Sequence, residues 1–194
     1  MNRITSFSAE SSPDATVLIL GSIPGKASLE ANQYYAHPRN HFWPIITELL
    51  KLEPSSSYSA RIEAIKLARI ALWDVVKSCH RHNSSLDTKI DKNSIVTNDF
   101  PGFFLTHPNI THLFFNGLTA EKTFQKHVQP YIFTTELIYH RLPSTSPAHA
   151  TMPFQQKLES WRILTRVMSE TSHSETGEIS KTKTNPITRT RNIP

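Results

Sequence analysis

The chain has 194 residues, 38% of them hydrophobic and 19% charged, with a formal net charge of +5, a length that suits one domain with a complete core. Its single cysteine, Cys79, excludes an internal disulfide framework, a four-cysteine zinc site and a cysteine-ligated iron–sulfur cluster. No run approaches the roughly 20 apolar residues of a membrane span, and no apolar run follows a basic start, so we expect a cytoplasmic protein without a signal peptide or membrane contact.

Four short apolar runs predict buried strands. Their apolar residues are continuous rather than alternating, which favours a parallel sheet covered on both faces. In chain order the runs are residues 16–20 (TVLIL), 70–76 (IALWDVV), 112–115 (HLFF) and 136–139 (ELIY).

Apolar side chains at helical spacing follow or separate these strands, within residues 42–50, 58–69, 120–128 and 154–168. Strands that alternate with helices indicate an α/β fold, a three-layer α/β/α sandwich with a central four-stranded, mainly parallel sheet. We expect residues 1–170 to form one domain. From Thr171 the apolar periodicity stops, and the polar, basic stretch 171–194 is predicted to be a disordered tail.

Polar segments follow or overlap the ends of all four predicted strands. They are residues 21–28, 74–86, 116–119 and 141–150. In a parallel sheet these segments share the carboxyl edge, where such folds bind their ligands. The sequence therefore predicts one site built from four loops.

The first loop, GSIPGKAS at residues 21–28, is a near miss to a phosphate-binding P-loop. That motif needs four residues between its glycines and a Ser or Thr directly after its Lys. Here three residues separate the glycines, and Ala27 follows Lys26. A nucleoside triphosphatase is thus disfavoured, and a simple tight turn is the alternative.

The next segment, QYYAHPRNHFW at residues 33–43, suits a flipped nucleobase. Such a base needs an aromatic face to stack on and amides for its edge. Tyr34 or Tyr35 can supply the face, and Asn40 carries both a donor and an acceptor. Phe42 and Trp43 fit core anchors of the following helix better than ligand contacts.

These motifs resemble the uracil-DNA glycosylase superfamily. The mismatch-specific branch has a similar G-x-N-P-G turn followed by F-A-H-P-x-N-x-F-W. This chain matches that pattern at nine positions. They are Gly21, Pro24, Gly25, Ala36, His37, Pro38, Asn40, Phe42 and Trp43. Ile23 in place of the turn Asn, the Tyr34–Tyr35 doublet and LPSTSPA at residues 142–148 are similar to the hypoxanthine-DNA glycosylase (deoxyinosine glycosylase) branch. Residues 72–79, 84–87 and 114–117 fit the same branch.

The resemblance implies roles for individual residues. Ile23 cannot position water as the family's turn Asn does, so the resemblance points to Asn40 as the catalytic residue. Tyr35 takes the position of the aromatic that stacks on the base, and Ile23 is a further candidate base contact. Asp74 falls near the residue that reads the base edge, and its carboxylate would accept the N1–H of hypoxanthine or the N3–H of uracil. A helix or turn cap is the structural alternative for Asp74.

A second group of residues suits the DNA backbone. Ser144, Thr145 and Ser146 offer short hydroxyls on a loop stiffened by prolines, and an ordinary surface turn is the alternative. His149 either enters the minor groove or is simply exposed. Asn116 is a candidate base contact, with a turn role as its alternative.

Two further chemistries are disfavoured. The run Cys79-His80-Arg81-His82 lacks four ligands at tetrahedral spacing, so we expect no metal. Nothing marks Lys26 as a buried Schiff-base nucleophile.

The sequence and the resemblance together predict a monofunctional, monomeric DNA glycosylase that needs no cofactor. Its substrate would be DNA containing a deaminated base, hypoxanthine first, from which it hydrolyses the N-glycosidic bond. The alternatives are a mismatch-directed uracil-DNA glycosylase and a non-catalytic nucleic-acid binder of the same fold, which the loss of the turn Asn at Ile23 keeps open.

Overall fold

The structure is a computed structural model that describes residues 2–81, 90–132 and 137–179. Groups of strands and groups of helices alternate along the chain. In chain order they are β1 (Asn2–Thr5), β2 (Val17–Gly21), α1 (Lys26–Ala31), α2 (Phe42–Leu50), α3 (Tyr58–Leu67), β3 (Ile70–Asp74), β4 (Val76–Arg81), β5 (Val96–Thr97), α4 (Phe100–Thr106), β6 (His112–Asn116), α5 (Leu118–His127), β7 (Ile138–Leu142), α6 (Phe154–Trp161) and α7 (Ile163–Ile179).

A four-stranded parallel sheet lies at the centre, in the order β3-β2-β6-β7. Every residue of β2 is buried, as its unbroken apolar sequence predicts. The prediction of a central four-stranded parallel sheet is confirmed.

The fourth strand differs from its prediction. It runs from Ile138 to Leu142, beyond the predicted end at Tyr139, and residue 136 of the predicted range lies outside the described residues. Ile138 and Tyr139 are 49% and 39% exposed. β7 is an edge strand, with β6 as its one neighbour in the sheet. A short apolar run does not distinguish an edge strand from a central one, because both contain the same residue types.

A second sheet was not predicted. Its strands β1, β4 and β5 pair antiparallel in the order β1-β4-β5. Its middle strand β4 occupies part of residues 74–86, which the sequence predicts as loop. In β4 the exposed Lys77 and His80 interrupt buried residues, several of which are polar, and this composition made the strand resemble a loop.

Helices cover both faces of the central sheet and complete the three layers. On one face α2, α3, α6 and α7 contribute Ile45, Ile62, Trp161 and Leu164 to one apolar cluster. On the other face α4 and α5 contribute Phe100, Phe103 and Phe124 to a second cluster. The α/β/α sandwich is therefore confirmed.

The C-terminal helical segment also departs from the sequence. The stripe predicted over residues 154–168 is two helices, α6 and α7, separated at Arg162. α7 continues to Ile179, beyond the predicted domain boundary at residue 170. A polar helix carries no apolar periodicity, so the sequence pattern did not show it. Residues 180–194 of the predicted tail, and residues 84–87 of the matched motifs, lie outside the described residues.

Candidate active site

The predicted loops meet at the carboxyl edge of the parallel sheet. Gly21 at the end of β2 is in register with Asp74 at the end of β3. Asn116 at the end of β6 is in register with Leu142 at the end of β7. Since β2 and β6 are neighbours, the four loops lie side by side, as expected for a ligand site in such a sheet.

Asp74 is held at this edge by hydrogen bonds from two other parts of the chain. Its side chain is only 3% exposed, and its Oδ2 accepts a 2.8 Å hydrogen bond from Ser6 Oγ. Its backbone carbonyl accepts a 2.7 Å hydrogen bond from Asn98 Nδ2. A Cβ placed on Gly21 would overlap Asp74 Oδ1, so the carboxylate lies directly over the Gly21 backbone. Asp74 is not an exposed turn cap.

Tyr35 reaches the same point from the second motif. Its hydroxyl oxygen is buried and lies 2.9 Å from the position that a Gly21 Cβ would take. The residue has a φ of +54°, a left-handed conformation that is uncommon for an aromatic residue and persists only where the surroundings hold it. Its ring stacks on Phe42 at 4.0 Å. One face of Tyr35 is therefore covered by protein, and stacking of a base on its other face stays a prediction.

The neighbouring Tyr34 belongs to the core instead. It is 3% exposed, its hydroxyl donates to the Ser8 carbonyl, and its own carbonyl accepts from Trp43 Nε1 at 2.8 Å. Burial, followed by the negative charge of Asp74, raises the pKa of the Tyr34 hydroxyl. Tyr34 thus stays a neutral phenol that anchors the segment, and Tyr35 is the member of the pair that lies at the site.

The side chain of Asn40 has a defined orientation. Its Oδ1 accepts a 2.9 Å hydrogen bond from the backbone N–H of Phe42, at the start of α2. Because a backbone N–H is a donor, the amide oxygen must be the atom that faces it. The Asn40 Nδ2 group is then the end of the side chain left to donate to a ligand or a water molecule.

Ile23 contributes to a third apolar cluster. It is 7% exposed and packs with Val76 and Cys79 of β4. The predicted contact between Ile23 and a base has little surface available to it. The side chain that replaces the family's turn Asn instead attaches the first loop to the second sheet.

Both ends of the Asn116 side-chain amide are bonded to Thr145 of the 143–149 loop. Its Nδ2 donates to Thr145 Oγ1 at 2.8 Å, and its Oδ1 accepts from the Thr145 backbone N–H at 2.9 Å. The Thr145 carbonyl in turn accepts a 3.0 Å hydrogen bond from the backbone N–H of His41. Thr145 is fully buried, so the predicted phosphate contact by its hydroxyl is corrected. Thr145 joins the loop to the Asn40 segment, and Asn116 positions it.

Ser144 and Ser146 remain suited to a phosphate. Ser144 Oγ accepts from the Ser146 N–H, and Ser146 Oγ accepts from the Ala148 N–H, both at 3.2 Å. These bonds use the hydroxyl oxygens as acceptors and leave the hydroxyl hydrogens to donate to phosphate oxygens. Both side chains are half-buried. Their phosphate contact stays a prediction with compatible geometry.

Helix α6 supports both ends of the 143–149 loop. Trp161 Nε1 donates to the Pro143 carbonyl at 3.1 Å, and Lys157 Nζ donates to the His149 carbonyl at 2.8 Å. The His149 backbone also donates to the Ser146 carbonyl. His149 is half-buried, and its predicted minor-groove contact is untested by these contacts.

His41 adjoins this support. Its ring packs edge-to-face on Phe154, and its Nδ1 is buried without a hydrogen-bond partner among the described residues. Burial, followed by the positive charge of Lys157, lowers the pKa of the His41 ring. The imidazole next to Asn40 is therefore neutral at pH 7.

Two other chemistries find no support in the described part of the chain. No group of three or more His, Cys, Asp or Glu side chains there is arranged to hold a metal ion. The Lys26 side chain is 77% exposed and pairs with Glu30 at 3.7 Å, which does not match a buried Schiff-base lysine. Separately, no described helix has the length and apolar character needed to cross a membrane.

Three residues of this region were missed from the sequence: Ser6, Lys157 and Trp161 as a loop contact. Ser6 carries no local signal, since it lies 68 positions from Asp74. Lys157 had one. It lies on the same helical stripe as Phe154, Leu158 and Trp161, and a lysine on an apolar stripe is unusual.

Comparison with known proteins places these features in a family. Residues 8–165 match the model of the uracil DNA glycosylase superfamily. A curated relative from Methanosarcina barkeri, named "Hypoxanthine DNA glycosylase", is 40% identical over 102 residues, which are 52% of this chain and 63% of that protein. One from Methanosarcina acetivorans with the same name is 35% identical over 115 residues, 59% of this chain and 71% of that protein.

The fold is also similar to a solved structure. The solution NMR structure of a candidate uracil DNA glycosylase from Methanosarcina acetivorans superposes with a TM-score of 0.71 and 28% identity. It covers 87% of this chain and 99% of that one. The similarity therefore extends over most of this chain.

Proposed function

The chain belongs to the uracil DNA glycosylase superfamily, and we propose that it removes hypoxanthine from DNA by hydrolysing the N-glycosidic bond of deoxyinosine. The observation that carries this proposal is the convergence of Asp74 and Tyr35 over Gly21, with the Tyr35 ring stacked on Phe42 next to Asn40. The names of the two Methanosarcina relatives support the choice of base. We further propose a monomer that acts on DNA in the cytoplasm without a cofactor.

Asp74 has the chemistry to recognise deamination. Adenine presents a hydrogen-bond acceptor at N1, whereas hypoxanthine presents an N1–H donor. A carboxylate only accepts hydrogen bonds, so it attracts hypoxanthine and repels adenine at this edge. Burial of Asp74 strengthens the discrimination, because a mismatched polar contact is costly away from water.

Asn40 would act through its Nδ2 donor. In the reaction, water adds to C1′, the C1′–N bond breaks, and the departing base takes the bonding electron pair and a proton. The sugar develops oxocarbenium character as in other glycoside hydrolyses. An amide donor cannot take a proton from water, so Asn40 would orient the water or stabilise the leaving base. Catalysis would then rest on positioning and electrostatics rather than on a general base.

The loop at residues 143–149 would hold the DNA backbone while the base is flipped. The Ser144 and Ser146 hydroxyls would donate hydrogen bonds to phosphate oxygens. Such backbone contacts position the DNA without reading its sequence. The bond between Thr145 and His41 joins this loop to the Asn40 segment, so a gripped phosphate and the catalytic amide share one rigid unit.

Release of free base tests the proposal directly. We expect the wild-type protein to release hypoxanthine from an oligonucleotide with one deoxyinosine, and the same oligonucleotide with adenine is the control. Deoxyuridine and deoxyxanthosine in the same position rank the alternatives. No release of any base, with DNA binding intact, would refute the enzyme and leave the non-catalytic binder.

A uracil glycosylase acting on mismatches is the second candidate. It is favoured by one specific observation: Asp74 would accept the N3–H of uracil as readily as the N1–H of hypoxanthine. A higher single-turnover rate on deoxyuridine than on deoxyinosine would establish it.

A further inference from the structure

Lys157 is an unusual lysine. It lies in the middle of α6 and is 1% exposed, among the largest fully buried side chains of the described chain. Lysine is almost never fully buried unless it is paired. The ammonium has three donors, yet the described residues supply one acceptor, the His149 carbonyl at 2.8 Å.

No acidic side chain among the described residues neutralises this charge. Lys157 is absent from the ion pairs of that part of the chain, and its environment includes His41, which is itself neutral. Burial lowers the pKa of the Lys157 ammonium, with no opposing carboxylate. The fold thus pays the desolvation cost of an isolated cation at one place, beneath the 143–149 loop.

The position of that cation is specific. Lys157 binds the carbonyl at the end of the 143–149 loop. Ser144 and Ser146 of that loop are the proposed phosphate contacts. The same loop is joined through Thr145 to His41, one residue from Asn40. A charge at this position therefore lies at the end of the proposed DNA-backbone loop, which is itself bonded to the Asn40 segment.

We propose that Lys157 is a positioning residue for DNA, whose buried charge attracts the backbone phosphate held by the 143–149 loop. The inference rests on the proposed DNA glycosylase function. A cation removed from water acts with a lower effective dielectric than a surface lysine, so it would attract a phosphate bound by this loop more strongly. The phosphate would supply the counter-charge that the protein lacks there.

Three variants separate the charge from the hydrogen bond. K157Q keeps a donor for the His149 carbonyl but has no charge, K157R keeps the charge, and K157M keeps only the aliphatic stem. K126Q is the matched control. Lys126 is exposed in the last turn of α5, which runs from the carboxyl edge back toward the opposite edge of the sheet.

The main measurement is binding to undamaged duplex DNA across a salt series. Loss of one phosphate interaction lowers the slope of log K against log[salt] by about 0.9, which at 0.1 M salt is about 8-fold in affinity. We expect K157Q to approach this loss, K157R to stay near wild type and K126Q to be unchanged. If Lys157 only holds the loop, K157Q should keep the wild-type affinity and salt slope, because the glutamine amide still donates to the His149 carbonyl.

A second measurement needs no DNA. The His41 ring, followed by NMR, should titrate at higher pH in K157Q than in wild type, since the neighbouring positive charge is gone.

K157M serves in both measurements if K157Q does not fold. Wild-type affinity and salt slope in the neutral variant would overturn the inference while base release by the wild type upholds the function. A wild type that binds DNA normally but releases no base would overturn the enzyme function alone, and one that binds no DNA would overturn both.

Discussion

A methyl group added at Gly21 should disable the site while leaving the fold intact. Gly21 has no positive φ, so alanine meets no backbone strain there. Its Cβ would instead overlap Asp74 Oδ1 and lie 2.9 Å from Tyr35 Oη. To reach ordinary contact distance the carboxylate must withdraw by on the order of 1 Å. A misplacement of about 1 Å in a catalytic constellation costs roughly 100-fold in rate.

Single-turnover release of hypoxanthine from a deoxyinosine duplex measures this effect, with thermal unfolding as a check on the fold. Gly102→Ala is the matched control, because its Cβ would overlap a different carboxylate, that of Asp99, whose Oδ1 accepts the Gly102 N–H at the start of α4. We expect the control to lose about 1 kcal/mol of stability, the usual cost of a disturbed cap, with little loss of rate. If Gly21→Ala releases hypoxanthine within about 3-fold of wild type, a factor far below the expected loss, the close approach of Asp74 and Tyr35 does not matter for the reaction.

Four further outcomes are expected. Asn40→Ala should lower the single-turnover rate by at least ~100-fold. Asn40→Asp should lower it equally but keep wild-type stability, because its carboxylate still accepts from the Phe42 N–H. An active Asn40→Asp would refute the role of the amide donor. Asn116→Ala removes two hydrogen bonds to the loop and should lower the free energy of unfolding by about 2–3 kcal/mol in urea titrations; a change near zero would show that the loop is held without it. Alanine at both Ser144 and Ser146 should weaken binding to lesion and undamaged duplexes alike at one salt concentration, whereas a selective loss for one lesion would mean that the loop reads the base. Burial, followed by a neighbouring His, lowers the folded-state pKa of His140. The unfolded chain then binds more protons, so stability should fall as pH drops below about 6.5, and His140→Phe should flatten that dependence.

Much of the fold was accessible from the sequence because the central strands are buried on both faces. Burial of this kind demands a continuous apolar run, and TVLIL and HLFF show it plainly. The edge strand β7 and the half-buried strand β4 were placed wrongly or missed. Their environments are asymmetric, and the resulting mixture of polar and apolar residues is also typical of loops.

The candidate site was predicted as a set of segments, but not as a set of contacts. Motif order placed Tyr35, Asn40 and Asp74 in one site, and strand register explains why Gly21 and Asp74 meet. The division of work within the 143–149 loop was not predictable. Ser144, Thr145 and Ser146 all carry a hydroxyl group. Only the folded structure shows that Thr145 is fully buried, whereas Ser144 and Ser146 are half-buried.

By itself, the sequence determined the order of the four central strands and of the main helices that accompany them, the loops that carry polar side chains, and the family that those loops resemble. These are local properties, since periodicity, turn residues and motif spacing are written along the chain. Only the tertiary structure decided which polar groups bond within the protein and which are available to a ligand. Asn116 bonds to a residue 29 positions away, Ser6 to one 68 positions away, and Lys157 lies buried under a loop from another element. A hydrogen bond is satisfied by whatever packing brings near, so its partner and its availability to a ligand are properties of the folded chain.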